Sequence, residues 1–139
     1  MLSLEAAELL GYFSITIKPL VVNAEPFSNK VKRKLARFSE IDKNEQTYNL
    51  AAYLIAQLGK NFSGKVKGRI TGQELLEAAI RQAQILQYQA GGMVAFVEAD
   101  NKEKLLSFYE NYGFKRFDTR QTTSCEEEPH ELIQLLRLL

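Results

Sequence analysis

Apolar and polar positions along the chain fall into blocks of two different periods, and the blocks predict alternating strands and helices. Tyr12-Phe13-Ser14-Ile15-Thr16-Ile17-Lys18 alternates cleanly. Phe13, Ile15 and Ile17 share one face, which predicts a half-buried antiparallel strand. Pro19 follows and, having no N–H, predicts that central pairing does not continue. A nearly continuous apolar run, Leu50 to Leu58, begins after Asn49, is interrupted by Gln57 and is ended or bulged by Gly59. It predicts a second strand. Leu75, Leu76, Ala79, Ile80, Ala83 and Leu86 recur at helical spacing until Gly91-Gly92 stop the element. Met93 to Ala99 is rich in β-formers and suits a buried central strand. Leu105, Leu106, Phe108, Tyr109 and Tyr112 return to helical spacing, and Gly113 can take the left-handed conformation that ends a helix. A further strand follows at Phe114 to Phe117.

The segments between these blocks carry capping and charge signals. Thr71-Gly72-Gln73-Glu74 has the form of a capping box, in which the Thr71 hydroxyl reaches the Glu74 amide and the Glu74 carboxylate reaches back to the Thr71 amide. The loop before it, Lys60 to Ile70, holds Gly64, Gly68, Lys65, Lys67 and Arg69. A basic loop running into a helix start suits an anion, because loop and helix-start amides point at it and the macrodipole favours negative charge. Asp100-Asn101 can cap the next helix. Val21 to Glu45 reads as a connection with a basic cluster, Lys30, Lys32, Arg33, Lys34 and Arg37. That cluster is either a solvated face or a rim that meets an anionic substrate or RNA, and no aromatics interleave it for base stacking. Asp118 to Glu128 is polar and reads as a hairpin loop. In the last segment, Glu131 to Leu139, Leu132, Leu135, Leu136 and Leu139 fit a helical period.

Composition narrows the class without choosing a chemistry. The 139 residues suit one domain, 1–139, and 45% hydrophobic with 25% charged residues is an ordinary globular balance. A net charge of +1 makes no bulk commitment to nucleic acid or an anionic membrane. The single cysteine, Cys125, fits a reducing compartment and has no local signature of a nucleophile. No apolar run reaches membrane-spanning length, and acidic residues stand where a signal peptide needs a basic start, so a cytoplasmic domain is expected. No metal-ligand cluster is present in the sequence, and His130 has no partner spacing for a metal or a triad.

The stretch Gly91 to Phe117 resembles the C-terminal half of the GCN5-related N-acetyltransferase (GNAT) superfamily. Members commonly carry an Asn just after a central strand and then an aromatic-Tyr-x-x-x-Gly-Phe segment. Here these are Asn101 and Phe108-Tyr109-Glu110-Asn111-Tyr112-Gly113-Phe114. The family's cofactor loop, Gln/Arg-x-x-Gly-x-Gly/Ala, is matched by Lys67-Gly68-Arg69-Ile70-Thr71-Gly72, with Ile70 at the first small position and a lysine where Gln or Arg is usual. The resemblance implies an α+β acyl-CoA N-acyltransferase fold: a central mixed, mostly antiparallel sheet flanked by helices. It also implies a last strand at Glu131–Leu139, against the helical period there, and that reading is preferred.

The same resemblance implies an acetyl-CoA-dependent N-acetyltransferase, with no metal, acting on an amine by direct attack on the thioester. It assigns the cofactor phosphates to Lys67, Gly68, Arg69, Thr71, Gly72 and Gln73, and the pantetheine arm to Asn101. Polarisation of the thioester carbonyl goes to a backbone amide where the strands splay, here that of Leu58. Tyr109 becomes the acid that protonates the departing sulfur, a reasonable donor at a reference pKa of about 10. Glu98, at the end of the central strand, is the candidate general base, beside a base acting through water or none at all. Each assignment has a plainer twin: Tyr109 as a core aromatic, Asn101 as a helix cap, and Tyr112 as packing.

The acceptor implied is an amine-bearing small molecule, a peptide or an aminoacylated RNA. The family domain usually opens with a strand, two helices and another strand, whereas ten residues precede Gly11 here. An N-terminally abbreviated member is therefore expected, with a second copy or a partner chain covering the exposed sheet edge. A partial acetyltransferase fold serving as a binding or assembly module without turnover is the alternative.

Overall fold

The computed structural model describes residues 9–36, 41–60, 68–122 and 128–139. Within them the chain runs β1 (Gly11–Asn23), α1 (Asn29–Ala36), β2 (Ile41–Asp42), β3 (Thr47–Lys60), α2 (Gly72–Ala90), β4 (Val94–Asp100), α3 (Glu103–Asn111), β5 (Lys115–Gln121) and β6 (Glu131–Leu138). One sheet orders the strands β1-β3-β4-β6-β5, with the short β2 pairing β3. Only β3 and β4 are parallel; the other pairs are antiparallel. This is the mixed, mostly antiparallel sheet flanked by helices that the resemblance implies.

The core lies on both faces of the sheet. One face presents Tyr53, Ile55, Ala95, Val97, Ala99, Ile133 and Leu135 to Leu76, Ala79, Ile80 and Ala83 of α2 and Leu106 and Tyr109 of α3. The other presents Leu50, Ala52, Val94, Phe96, Phe117 and Leu136 to Phe27 and Leu35 on the α1 side. Central strands buried on both sides need not alternate, and that explains the last segment. Leu135 and Leu136 are adjacent, yet both are buried, one on each face. The helical period in Glu131–Leu138 is thus incidental, and the strand implied by the resemblance is the one formed.

Three expectations are corrected. β1 does not stop at Pro19 but continues to Asn23. Met93 N–H donates to the carbonyl of Ala51 at 3.1 Å, so the polar backbone of Ala51 faces β4. Pro19, opposite Ala51, therefore sits at a non-hydrogen-bonded position of an edge strand, where its missing N–H costs no ladder bond. The connection Val21–Glu45 contains a helix. In α1, Val31 and Leu35 stand four apart and turn inward, while Lys30, Arg33 and Lys34 stay exposed. Ser28 caps it, its hydroxyl accepting from Val31 N–H at 3.3 Å. Of the basic cluster, Arg37 lies outside the described residues. Third, Asp118 to Gln121 belong to β5 rather than to a hairpin loop. Cys125 and residues 1–8 lie outside the described residues.

Both long helices end where glycine permits a positive φ. Gly91 and Gly92 stand at φ 81° and 100°, and Gly113 at 86°. At Gly92 the space is as decisive as the angle, because a Cβ there would lie 2.7 Å from the Tyr53 ring.

Candidate active site

β3 and β4 share only three residue pairs, Ala52–Val94, Tyr53–Ala95 and Leu54–Phe96. Beyond them β3 continues to Lys60 against β1, while β4 continues to Asp100 against β6. The two strands splay. A bulge accompanies the opening: Tyr12 pairs Gly59 but Ser14 pairs Ala56, so Phe13 faces both Gln57 and Leu58. Gln57 takes φ 51°, a region a non-glycine residue enters at a cost of about 1–3 kcal/mol. The sequence placed the irregularity at Gly59. That glycine has another reason, since a Cβ there would lie 2.8 Å from the Tyr12 ring that covers it.

The splay opens a cavity of about 310 Å³ lined by Leu54, Ile55, Ala56, Gln57, Leu58, Glu98 and Tyr109. Leu58, Glu98 and Tyr109, separately nominated from the sequence, thus meet on one void. Leu58 contributes from the bulge, where the β1 ladder is interrupted. Glu98 alternates with Val94 and Phe96 and so lies on the α1 face of the sheet. Tyr109 comes from α3 on the opposite face. A gap between strands lets groups from both faces address the same space, which a closed ladder would forbid.

Tyr109 is a core aromatic as well as a cavity residue. It is buried, with edge-on contacts to Phe108 (ring centroids 5.3 Å apart) and Phe114 (5.8 Å). Its hydroxyl has no hydrogen-bond partner among the described residues. Burial raises its pKa above the ordinary 10.0 of a phenol. The group is therefore neutral, a donor, throughout the physiological range. Tyr112 points elsewhere: its hydroxyl donates to Glu77 Oε1 at 3.4 Å and ties α3 to α2.

The cofactor loop of the sequence reading is described from Gly68 onward; Lys67 lies outside the described residues. Gly68 stands at φ 79°. Ile70 is buried, its side chain turned into the protein, so that only its backbone remains for a ligand. The capping box forms as expected, with Glu74 N–H on Thr71 Oγ1 at 3.0 Å and Thr71 N–H on Glu74 Oε1 at 3.2 Å. The Thr71 amide is thereby committed to the Glu74 carboxylate, and the Glu74 amide to the Thr71 hydroxyl. Gly72 lies against Phe108, 3.7 Å from where its Cβ would be, and Phe108 in turn touches Tyr109. The helix start and the phenol are thus one residue apart in space. Gly72 and Gln73 open α2, and Arg69 is exposed beside them.

The expected cap on α3 is absent. Lys102 occupies the cap position without a side-chain bond. Asp100 is already the last residue of β4, and its carboxylate oxygen lies 3.2 Å from His130 Nε2. Asn101 is exposed and makes no side-chain hydrogen bond among the described residues, which leaves its amide available at the end of the central strand.

Sequence reading missed two residues that hold Glu98. Arg120 reaches from β5 across β6 and places Nε on Oε2 of Glu98 and Nη2 3.3 Å from Oε1. Gln134, directly opposite Glu98, donates to Oε2 at 3.1 Å. The guanidinium is held more firmly in its charged form by that bond to Glu98. Both were hidden by strand order, since Arg120 lies in a stretch read as a loop and Gln134 in a segment with a helical period. Among the described residues no group of three or more His, Cys, Asp or Glu is arranged to hold a metal ion. No described helix is long and apolar enough to cross a membrane.

Neither a protein-family model nor a curated protein matches the chain. Among solved structures, a GNAT family acetyltransferase from Elizabethkingia anophelis with acetyl-CoA bound is similar over 90% of this chain and 98% of that one, at 20% identity and a TM-score of 0.47. The IAA acetyltransferase from Bacillus cereus ATCC 14579 is similar over 91% of this chain and 100% of its own, at 15% identity and a TM-score of 0.45. Escherichia coli ElaA is similar over 88% and 99% respectively, at 14% identity and a TM-score of 0.42.

Proposed function

We propose that this protein is a GNAT-type N-acetyltransferase, which moves the acetyl group of acetyl-CoA to an amine. The observation that carries the proposal is the meeting of Leu58, Glu98 and Tyr109 on the one cavity opened by the β3–β4 splay. The start of α2 and its loop (Gly68, Arg69, Thr71, Gly72, Gln73, with Lys67 before them) would hold the cofactor phosphates, and Asn101 the pantetheine arm. The thioester then brings an activated acyl carbon into the splay. The amine nitrogen attacks that carbon, the C–S bond breaks, and the products are an N-acetylated amine and the coenzyme A thiol. The Leu58 amide would meet the carbonyl oxygen as negative charge develops on it. Tyr109 would donate a hydrogen bond from its hydroxyl to the departing sulfur, which leaves as the thiolate and takes up a proton from water to become the thiol.

Glu98 suits the acceptor side of this scheme, since it faces the cavity from the sheet face opposite α2 and α3. Its oxygens already accept from Arg120 and Gln134, which favours orienting the amine over withdrawing its proton directly. The proton released by the attacking nitrogen would then leave through water.

The reading without turnover draws on one observation, the capping box. The Glu74 carboxylate answers the Thr71 amide at the place a pyrophosphate would occupy and adds a negative charge there, while the Glu74 amide is taken by the Thr71 hydroxyl. Calorimetric titration with acetyl-CoA and with coenzyme A separates the two readings, followed by thiol release in the presence of primary amines. Micromolar binding of both with amine-dependent thiol release supports the enzyme. Binding without release for any amine supports a binding module, and no binding by folded protein overturns the enzyme and leaves an assembly role that does not use the cofactor.

A further inference from the structure

We propose that the acceptor is a small amino-carboxylic acid, and that Arg120 selects it by binding the carboxylate while Glu98 binds the amine. This inference rests on the acetyltransferase reading and names the substrate class of that same cavity. Glu98 lines the cavity and is 13% exposed at its side chain, and Arg120, 46% exposed, is bonded to it from β5. Arg120 spends Nε and Nη2 on Glu98, and its side chain makes no other hydrogen bond or ion pair among the described residues. A guanidinium has five N–H donors in a planar fork, so donors remain for a second anion.

The charge balance decides what can enter. Glu98 and Arg120 together are neutral. An amine without an anionic neighbour would arrive as an ammonium next to a guanidinium and meet repulsion as well as attraction. A zwitterion brings a matched pair of charges: its ammonium goes to Glu98, its carboxylate to Arg120, and the local charge stays at zero. Gln134 holds Glu98 from the side and keeps its second oxygen aimed in a fixed direction when the substrate loosens the Arg120 contact. A void of about 310 Å³ is at the small end of ligand pockets, which run from about 300 to 1,000 Å³, and it favours a compact acceptor over a folded macromolecule.

The test uses the full chain with saturating acetyl-CoA and reads thiol release from the common amino acids, each supplied as the free acid and as its carboxamide. For the acceptors that react, the free acid is expected to exceed the carboxamide in kcat/KM by about 10–100-fold, the range of a charge-assisted hydrogen-bonded pair. In Arg120→Gln that ratio falls to about 1, mainly through KM, with acetyl-CoA binding unchanged. Arg120→Lys, which keeps the charge and loses the fork, gives an intermediate ratio and covers the case in which the glutamine variant does not fold. Carboxamides that react as well as the acids, or a ratio unmoved by both variants, overturn the inference. So does a wild-type protein that binds acetyl-CoA and acetylates no free amino acid. Absence of acetyl-CoA binding is a separate outcome: it removes the acetyltransferase reading and this inference with it.

Discussion

Replacing Tyr109 by phenylalanine removes one oxygen from the cavity and almost nothing from the core. The ring is packed edge-on between Phe108 and Phe114, and phenylalanine fills the same space. The hydroxyl has no partner among the described residues, so no hydrogen bond there is orphaned, and unfolding free energy is expected to change by less than about 1 kcal/mol. The catalytic loss follows from what the phenol can do. A phenol at about 10 or above is a weaker acid than a thiol at about 8.5, so complete transfer to the sulfur is uphill by about 2 kcal/mol or more. Its service is therefore a hydrogen bond to the sulfur as negative charge grows there. Bonds to charged groups are worth about 1.5–3 kcal/mol, which corresponds to a fall in kcat of about 10–150-fold in Tyr109→Phe. KM for acetyl-CoA should move less than about threefold, since the thiolate exists only after attack.

Steady-state thiol release against acetyl-CoA concentration measures both constants, and urea unfolding of the two proteins checks the fold. The alkaline limb carries a second signature. Burial raises the phenol's pKa, so the folded state keeps a proton that the unfolded state releases near pH 10. That group leaves stability unchanged below about pH 10 and lowers it as pH rises from there through the folded value; the phenylalanine variant lacks this share of the decline. A kcat equal to wild type in Tyr109→Phe would refute the role assigned to the phenol. A loss of several kcal/mol in stability would refute the claim that the hydroxyl is idle in the core.

Gly92→Ala should destabilise the fold by about 2–4 kcal/mol, combining a positive φ for a residue with a Cβ and overpacking against the buried Tyr53 ring. Tyr53 cannot easily swing aside, because its hydroxyl donates to the Gly91 carbonyl at 2.5 Å; a midpoint of urea unfolding within error of wild type would contradict this. Glu74→Gln keeps a side chain able to complete the capping box while removing a negative charge from the start of α2. Acetyl-CoA should then bind about two- to tenfold more tightly in low salt, with the gain shrinking as salt rises. Calorimetry showing weaker or unchanged binding at low salt would argue that the phosphates do not approach this helix start.

Local patterns were enough for much of this protein. The capping box at Thr71, the helix that Gly113 ends and the buried strand at Val94–Asp100 follow from spacing, capping chemistry and glycine's freedom at positive φ, all of which act within a few residues. The residues Leu58, Glu98 and Tyr109 were nominated from a motif, and one sequence suffices for that. Their meeting was a tertiary matter. It depends on β3 and β4 parting after three pairs and on a bulge at Gln57, which the local sequence marks as a break in the apolar run but not as a residue at positive φ. Pro19 misled because whether a missing N–H matters depends on which side of the strand has a neighbour. Glu131–Leu138 misled because a strand buried on both faces loses its period of two. α1 was hidden by its own lysines, since a short helix shows its apolar stripe only through Val31 and Leu35, and the surface that buries them comes from strands distant in sequence. Arg120 was invisible for the same reason: its partner, Glu98, lies two strands away, and only the order β4-β6-β5 brings guanidinium and carboxylate together across the sheet.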